Sequence, residues 1–304
     1  MSQTSPDILQ VAPTWRDYFE LTKPRVVALI MLTSIVGTLL ASPGVPPLDA
    51  LILGNLGIAL AAGSAAAVNH VLDSQIDRHM RRTRQRPLPT GHMTHGRALG
   101  FALLLGVASM TLLVAFVNVL TAVLCFCSLI LYAVIYTVWL KRATPQNIVI
   151  GGAAGAAPPV LGWVAVTNHV DPHALLLFMI IFAWTPPHFW ALAIARRKEY
   201  AKVRIPMLPV THGVELTRLH VLLYTVILSV VTLLPVMTGM SGLIYLAAAL
   251  VLNGRFLWLA IALKVKRRDE LPMRVFHYSI RYLMWLFLAL LVDHYLRIGI
   301  AGIT

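Results

Sequence analysis

Apolar runs long enough to cross a bilayer, separated by short polar loops, decide what this chain can fold into. About nine can be placed, near 24–42, 50–69, 98–117, 119–139, 147–166, 173–194, 218–238, 241–263 and 276–296. In hydrocarbon every backbone N–H and C=O must be paired by protein, and runs of this length satisfy that as helices. Composition agrees, with 58% of the 304 residues hydrophobic and 12% charged. The expected fold class is therefore all-α, a polytopic membrane protein and not a soluble globular one.

A net charge of +13 would suit nucleic-acid binding in a soluble chain, but the distribution speaks for topology and no nucleic acid. With the N-terminus placed in the cytoplasm, inside segments hold 22 of the 25 basic residues, leaving Arg255 and Arg281 within or beside spans and Arg297 outside. That segregation is what the positive-inside rule requires, and nine spans put the C-terminus outside. The two cysteines, Cys125 and Cys127, lie two apart in one apolar run and give no disulfide framework or cysteine metal site. Residues 1–23 read as a retained cytoplasmic tail, with no basic stretch leading directly into an apolar one, and 24–304 as one transmembrane domain.

Chemistry concentrates where the second run meets water. The stretch Asn69 to Gly91, NHVLDSQIDRHMRRTRQRPLPTG, places Asn69, Asp73 and Asp77 four residues apart and follows them with arginines. On a helix continuing through Asp77, successive members turn by about 40° and rise by roughly 6 Å, so all three look into one volume. Two carboxylates and an amide oxygen suit a hard cation such as Mg²⁺, and neighbouring arginines suit a phosphate-rich substrate. A solvated helix end is the plain alternative, and Arg78 and Arg81 read as interface anchors. Arg82, Arg84 and Arg86 are harder to assign to anchoring so near the carboxylates.

Other features fall on the same side of the membrane. Lys23 and Arg25 flank Pro24 as an ordinary helix start, and Tyr132 and Tyr136 precede Lys141 and Arg142, a possible second cationic clamp. The fifth run carries Gly151, Gly152, Gly155, Pro158, Pro159 and Gly162, so a kinked, closely packed helix is expected. The sixth ends in WTPPHFW, where His188 is an ionisable residue inside the bilayer and a functional candidate by default. A histidine there can also bond a backbone carbonyl freed by Pro186 and Pro187. Glu199 is the only carboxylate in a loop of five basic residues, where a surface ion pair is the plain reading. Arg255 needs a partner or an anionic ligand, and Asp293, His294 and Arg297 suggest a polar cluster at the outer end of the last helix.

The run from Asn69 to Leu88, with YTVWLKRATPQNIVIGGAAGAAPPVLGW from Tyr136, PPHFWALA from Pro186 and IPMLPVTHG from Ile205, resembles the intramembrane UbiA-type prenyltransferase superfamily, in particular its branch that makes haem O. The resemblance covers helices two to six and their loops. It implies a helical bundle around a central cavity and, as the reaction, transfer of a farnesyl group from farnesyl diphosphate to a vinyl group of haem B. It places Mg²⁺ on Asn69, Asp73 and Asp77, a second Mg²⁺ on Glu199, and the diphosphate on Arg82, Arg86, Lys141 and Arg142. Haem B is a substrate here and Mg²⁺ the cofactor. His188 and, beside Asn69, His70 are the candidate haem-binding residues, with Trp184, Phe189 and Trp190 as possible walls of the slot.

The second loop departs from the family pattern, since Lys198 stands where an acid is usual and Arg204 where glycine is usual. The resemblance further implies the inner membrane of a bacterium, and a haem A synthase or haem-copper terminal oxidase as assembly partners. Two other readings stay open. A prenyltransferase acting on a quinone or chlorophyll precursor would share the acid and arginine chemistry. A transporter or anion channel would explain the helices without needing the Asn-Asp-Asp spacing.

Overall fold

The computed structural model describes residues 12–80 and 82–301. Arg81 and the first eleven residues of the expected tail lie outside the described residues. The described residues are mostly helical, and no strand occurs among them. We label the long helices α1 (Pro24–Leu40), α2 (Asp49–Asp77), α3 (His95–Phe116), α4 (Val119–Ala143), α5 (Asn147–Thr167), α6 (Pro172–Ala195), α7 (Gly213–Met237), α8 (Leu243–Lys266) and α9 (Leu271–Ala301).

Helices α2 to α9 are each long and apolar enough to cross a bilayer. The first span is a bent pair, in which a short helix, Trp15–Leu21, meets α1 at 53°. Lys23 forms the corner with a left-handed backbone, φ 52°, and Pro24 takes the first helical position, where its missing N–H costs nothing.

Two helices have features that matter for the site, one in its length and one in its winding. α2 continues past the expected boundary at 69 to Asp77, and the Thr83 hydroxyl ends it by donating to the Asp77 carbonyl at 3.0 Å. That extension puts Asn69, Asp73 and Asp77 on one uninterrupted helix. α4 is wound as a π-helix from Leu131 to Leu140, so the Thr137 hydroxyl reaches the Tyr132 carbonyl five residues back at 2.8 Å. Such wide turns shift the helical face and occur often at functional sites; here the shift delivers Thr137 and Lys141 to α2.

Small residues let the N-terminal helices touch backbone to backbone, as the glycine and proline content of the fifth run suggests. A Cβ on Gly37 would fall 2.2 Å from the Pro159 carbonyl oxygen, and one on Gly162 2.1 Å from that of Ser34. Hydroxyls tie α2 to α3 within the bilayer, Ser64 donating to Ala102 O at 2.8 Å and Ser109 to Gly57 O at 2.7 Å. Larger side chains pack α6 to α9, with Trp190, Tyr245, Phe256, Tyr282 and Phe287 fully buried. Leu103, Leu104, Val107, Val251 and Trp258 face outward, a surface suited to lipid.

The remaining ionisable residues in the C-terminal helices have structural partners. Arg255 lies over the Tyr278 ring at 5.6 Å, which answers its need for a partner. Asp293 accepts from the backbone N–H groups of Gly242 and Tyr245 at 2.6 and 3.2 Å, capping α8. His294 bonds the Ser42 carbonyl and Arg297 the Gly239 carbonyl. The expected outer cluster is thus a set of ties between helices.

Candidate active site

The polar stripe of α2 meets three basic side chains from three different segments. Asn69, Asp73 and Asp77 are each 4% exposed. Lys23, from the corner before α1, donates to Asn69 Oδ1. Lys141, at the end of the π-wound stretch, donates to Asp73 Oδ2 at 2.6 Å, and Arg86, from the loop after α2, to Asp77 Oδ2 at 2.7 Å. The Asn69 amide nitrogen closes the lattice by donating to Asp73 Oδ2 at 2.9 Å and Thr137 Oγ1 at 3.2 Å.

Local folding explains how Arg86 arrives. Met80, Leu88 and Met93 are buried and pin the loop against the bundle. The Arg86 N–H donates to the Thr83 carbonyl at 3.0 Å, so the chain turns back on the residue that caps α2. Lys23 is the member of this cluster that sequence reasoning missed, because Lys-Pro-Arg at a membrane boundary reads as an ordinary anchor. Only its left-handed corner aims the ammonium at Asn69.

This arrangement suits a hard cation together with a polyanion. Asp73 Oδ1 is buried with no hydrogen-bond partner, a carboxylate oxygen left for a further ligand. Two carboxylates face three basic groups, so the cluster already leans positive; Mg²⁺ would enlarge that surplus and a diphosphate would neutralise it. No group of three or more His, Cys, Asp or Glu able to hold a metal occurs among the described residues. Mg²⁺ does not require one, since it is usually bound by one or two carboxylates, waters and substrate phosphate. Asn69 turns its nitrogen toward Asp73 and its oxygen toward Lys23, so it could share a cation with Asp73 only after its amide turned over.

Glu199 stands in a separate group. It lines a cavity of about 510 Å³ with Arg82, Ala195, Arg196 and Met273. Arg196 lies 3.7 Å from Glu199 Oε1, while Glu199 Oε2 is buried without a hydrogen-bond partner, a donor oxygen that suits a hard cation. Asp73 and Asp77 do not line this cavity and are held in their own ion pairs. Tyr200 packs beside the group, and burial pushes its hydroxyl above the ordinary value, with Arg82 and Arg196 acting the other way. The unusual Lys198 is exposed and so is Arg142, which forms no ion pair among the described residues. The expected diphosphate set therefore divides: Arg86 and Lys141 join the lattice, Arg82 joins Glu199, and Arg142 joins neither.

Arg204 has a left-handed backbone, φ 53°, and an exposed side chain. This accounts for glycine being usual there, since a Cβ is costly in that conformation. Arg204→Gly should raise the thermal midpoint of the purified protein, by about 0.5–1 kcal/mol of stability. A lowered midpoint would show that the guanidinium holds the loop.

The histidines separate as well. His70 is 1% exposed, with neither ring nitrogen bonded and with Lys23 and Arg86 as charged neighbours, so it sits with the α2 lattice. His188, 7% exposed, does not bond a carbonyl freed by the Pro-Pro pair. Its Nδ1 meets Ser279 Oγ of α9 at 2.7 Å, and its ring stacks on Trp184 and Phe276 at 4.3 and 4.6 Å. Trp190, expected as a slot wall, is instead fully buried against His220 and Tyr224. Phe189 lies edge-on to His188.

Known proteins share both the pattern and the shape. The model of the UbiA prenyltransferase family matches residues 30–291. A protein called protoheme IX farnesyltransferase in Methylococcus capsulatus is 62% identical over 283 residues, which is 93% of this chain and 95% of the relative. Its namesake in Alkalilimnicola ehrlichii is 61% identical over 288 residues, 95% of each. Among solved structures, a digeranylgeranylglyceryl phosphate synthase superposes with a TM-score of 0.78 at 18% identity, covering 92% of this chain and 98% of that one. A UbiA homolog from Archaeoglobus fulgidus, bound to DMAPP and Mg²⁺, gives a TM-score of 0.62 at 15% identity, covering 90% and 99%. At those identities the structures establish the helical fold, and the family match with its near full-length relatives establishes membership: the chain belongs to the UbiA prenyltransferase family.

Proposed function

We propose that this chain transfers the farnesyl group of farnesyl diphosphate to a vinyl side chain of haem B, with addition of water, to give haem O and diphosphate. The observation that carries the reading is the lattice of Asn69, Asp73 and Asp77 with Lys23, Lys141 and Arg86, in a chain about three-fifths identical to proteins named protoheme IX farnesyltransferase. That identity favours this acceptor over a quinone or chlorophyll precursor. The lattice gives the acid spacing a use that a channel would not need. By the same relatives, all bacterial, the site of action is the inner membrane of a bacterium, facing the cytoplasm.

The chemistry asks for charge at one end and dryness at the other. Heterolysis of the allylic C–O bond sends its electron pair to the diphosphate and leaves a farnesyl cation. Lys23, Lys141, Arg86 and Arg82 stabilise the charge that develops on the leaving group, and preorganised donors of this kind give large rate effects in a water-poor site. Mg²⁺ when bound adds further positive charge there; Asp73, Asp77 and Asn69 would hold one ion, and Glu199 a second. Apolar helix walls shelter the allylic cation from bulk water. The vinyl π electrons form the new C–C bond, a water oxygen adds to the resulting porphyrin-side cation, and one proton is released.

His188 is the residue we place against the haem, while His70 belongs by position to the diphosphate end. The reading is tested by incubating membranes containing the protein with farnesyl diphosphate and haem B, and seeking haem O by mass spectrometry. Product should form with added Mg²⁺ and fall to background with a chelator. Prenylation of an aromatic acid in place of haem would overturn the acceptor. Undiminished rates after chelation would overturn the metal.

A further inference from the structure

The contacts around His188 define the state of its ring. Ser279 is fully buried, and its hydroxyl donates to the Phe276 carbonyl one turn back on α9 at 2.7 Å. Having spent its hydrogen there, Ser279 Oγ can only accept from His188 at 2.7 Å. Nδ1 therefore carries the proton, and Nε2 carries the lone pair. Among the described residues Nε2 has no hydrogen-bond partner. Stacking between Trp184 and Phe276 fixes the ring plane.

The Ser279 backbone is engaged too, since its carbonyl accepts from Trp184 Nε1 at 2.8 Å. Trp184 and His188 are four residues apart on α6, so one residue of α9 holds both. A simple tie between helices would be complete with the Trp184 bond alone, and it would not need a histidine whose Nε2 is left without a protein partner. The pattern is instead that of metal-ligating histidines, whose other ring nitrogen donates to a fixed acceptor.

We infer that Ser279 is a positioning residue that holds His188 in the Nδ1–H form, so that Nε2 serves as an axial ligand to the iron of the acceptor porphyrin. This rests on the haem-acceptor reading proposed above and extends it to a residue of α9, outside the motifs of helices two to six. The hydrogen bond would also raise the electron density of the ring and strengthen its bond to iron.

The test uses full-length protein in nanodiscs, loaded with haem B and examined by resonance Raman spectroscopy in the ferrous state, alongside the haem O assay. Wild type should give an iron–histidine stretching band that His188→Gly abolishes and added imidazole restores. Ser279→Ala should move that band to lower frequency, and Ser279→Thr should return it. If the band is identical in His188→Gly, or unmoved in Ser279→Ala, the inference is overturned even where haem O is still made. If wild type makes no haem O, the acceptor reading itself fails.

Discussion

Asp73→Asn, at normal protein level in the membrane, should form haem O at about one hundredth of the wild-type rate or less. The substitution keeps the shape of the side chain and removes one negative charge. It strips the counterion from Lys141, 2.6 Å away, and removes the charge of the carboxylate whose second oxygen, Oδ1, is buried without a partner. Removing one member of a buried ion pair typically costs about 3–5 kcal/mol, because the other charge is left uncompensated. Protein amount in the membrane must therefore be measured beside product. A rate within tenfold of wild type, at equal protein, would remove Asp73 from the mechanism.

A sharper separation of fold from function is expected at Lys23. Its left-handed backbone should cost a non-glycine residue about 1–2 kcal/mol, so Lys23→Gly removes a local strain together with the ammonium. We expect a thermal midpoint at or above that of wild type and a fall in turnover of about 10²-fold, the size seen when one preorganised donor to a developing anion is lost. Lys23→Arg, which keeps the charge, should retain part of the activity. Full activity in Lys23→Gly would reduce the contact with Asn69 to a packing detail.

These two residues differ in how far the sequence announces them. Asp73 lies in a run whose spacing alone puts three polar side chains on one helical face, and the role proposed for it follows from the period of the helix. Lys23 is 46 positions from Asn69, and nothing local to Thr-Lys-Pro-Arg says that the chain turns there by 53°. Lys141 and Arg142 read alike in sequence; the π-wound stretch before them sends Lys141 to Asp73 and leaves Arg142 exposed. Trp190 read as a haem contact because it is close to His188 in sequence, yet two positions along a helix are a turn of about 200°, enough to bury it against α7.

By itself the sequence determined the number and order of the helices, the basic side of the membrane and the α2 acid stripe. Each of these follows from short-range periodicity and from what hydrocarbon allows. Tertiary structure decided which cations reach the stripe, where Glu199 stands apart from it, and that Ser279 faces His188. The pairings of Lys23 with Asn69, Lys141 with Asp73 and His188 with Ser279 join residues 46, 68 and 91 positions apart. They depend on how helices cross, on one left-handed corner and on one widened turn, none of which local composition encodes.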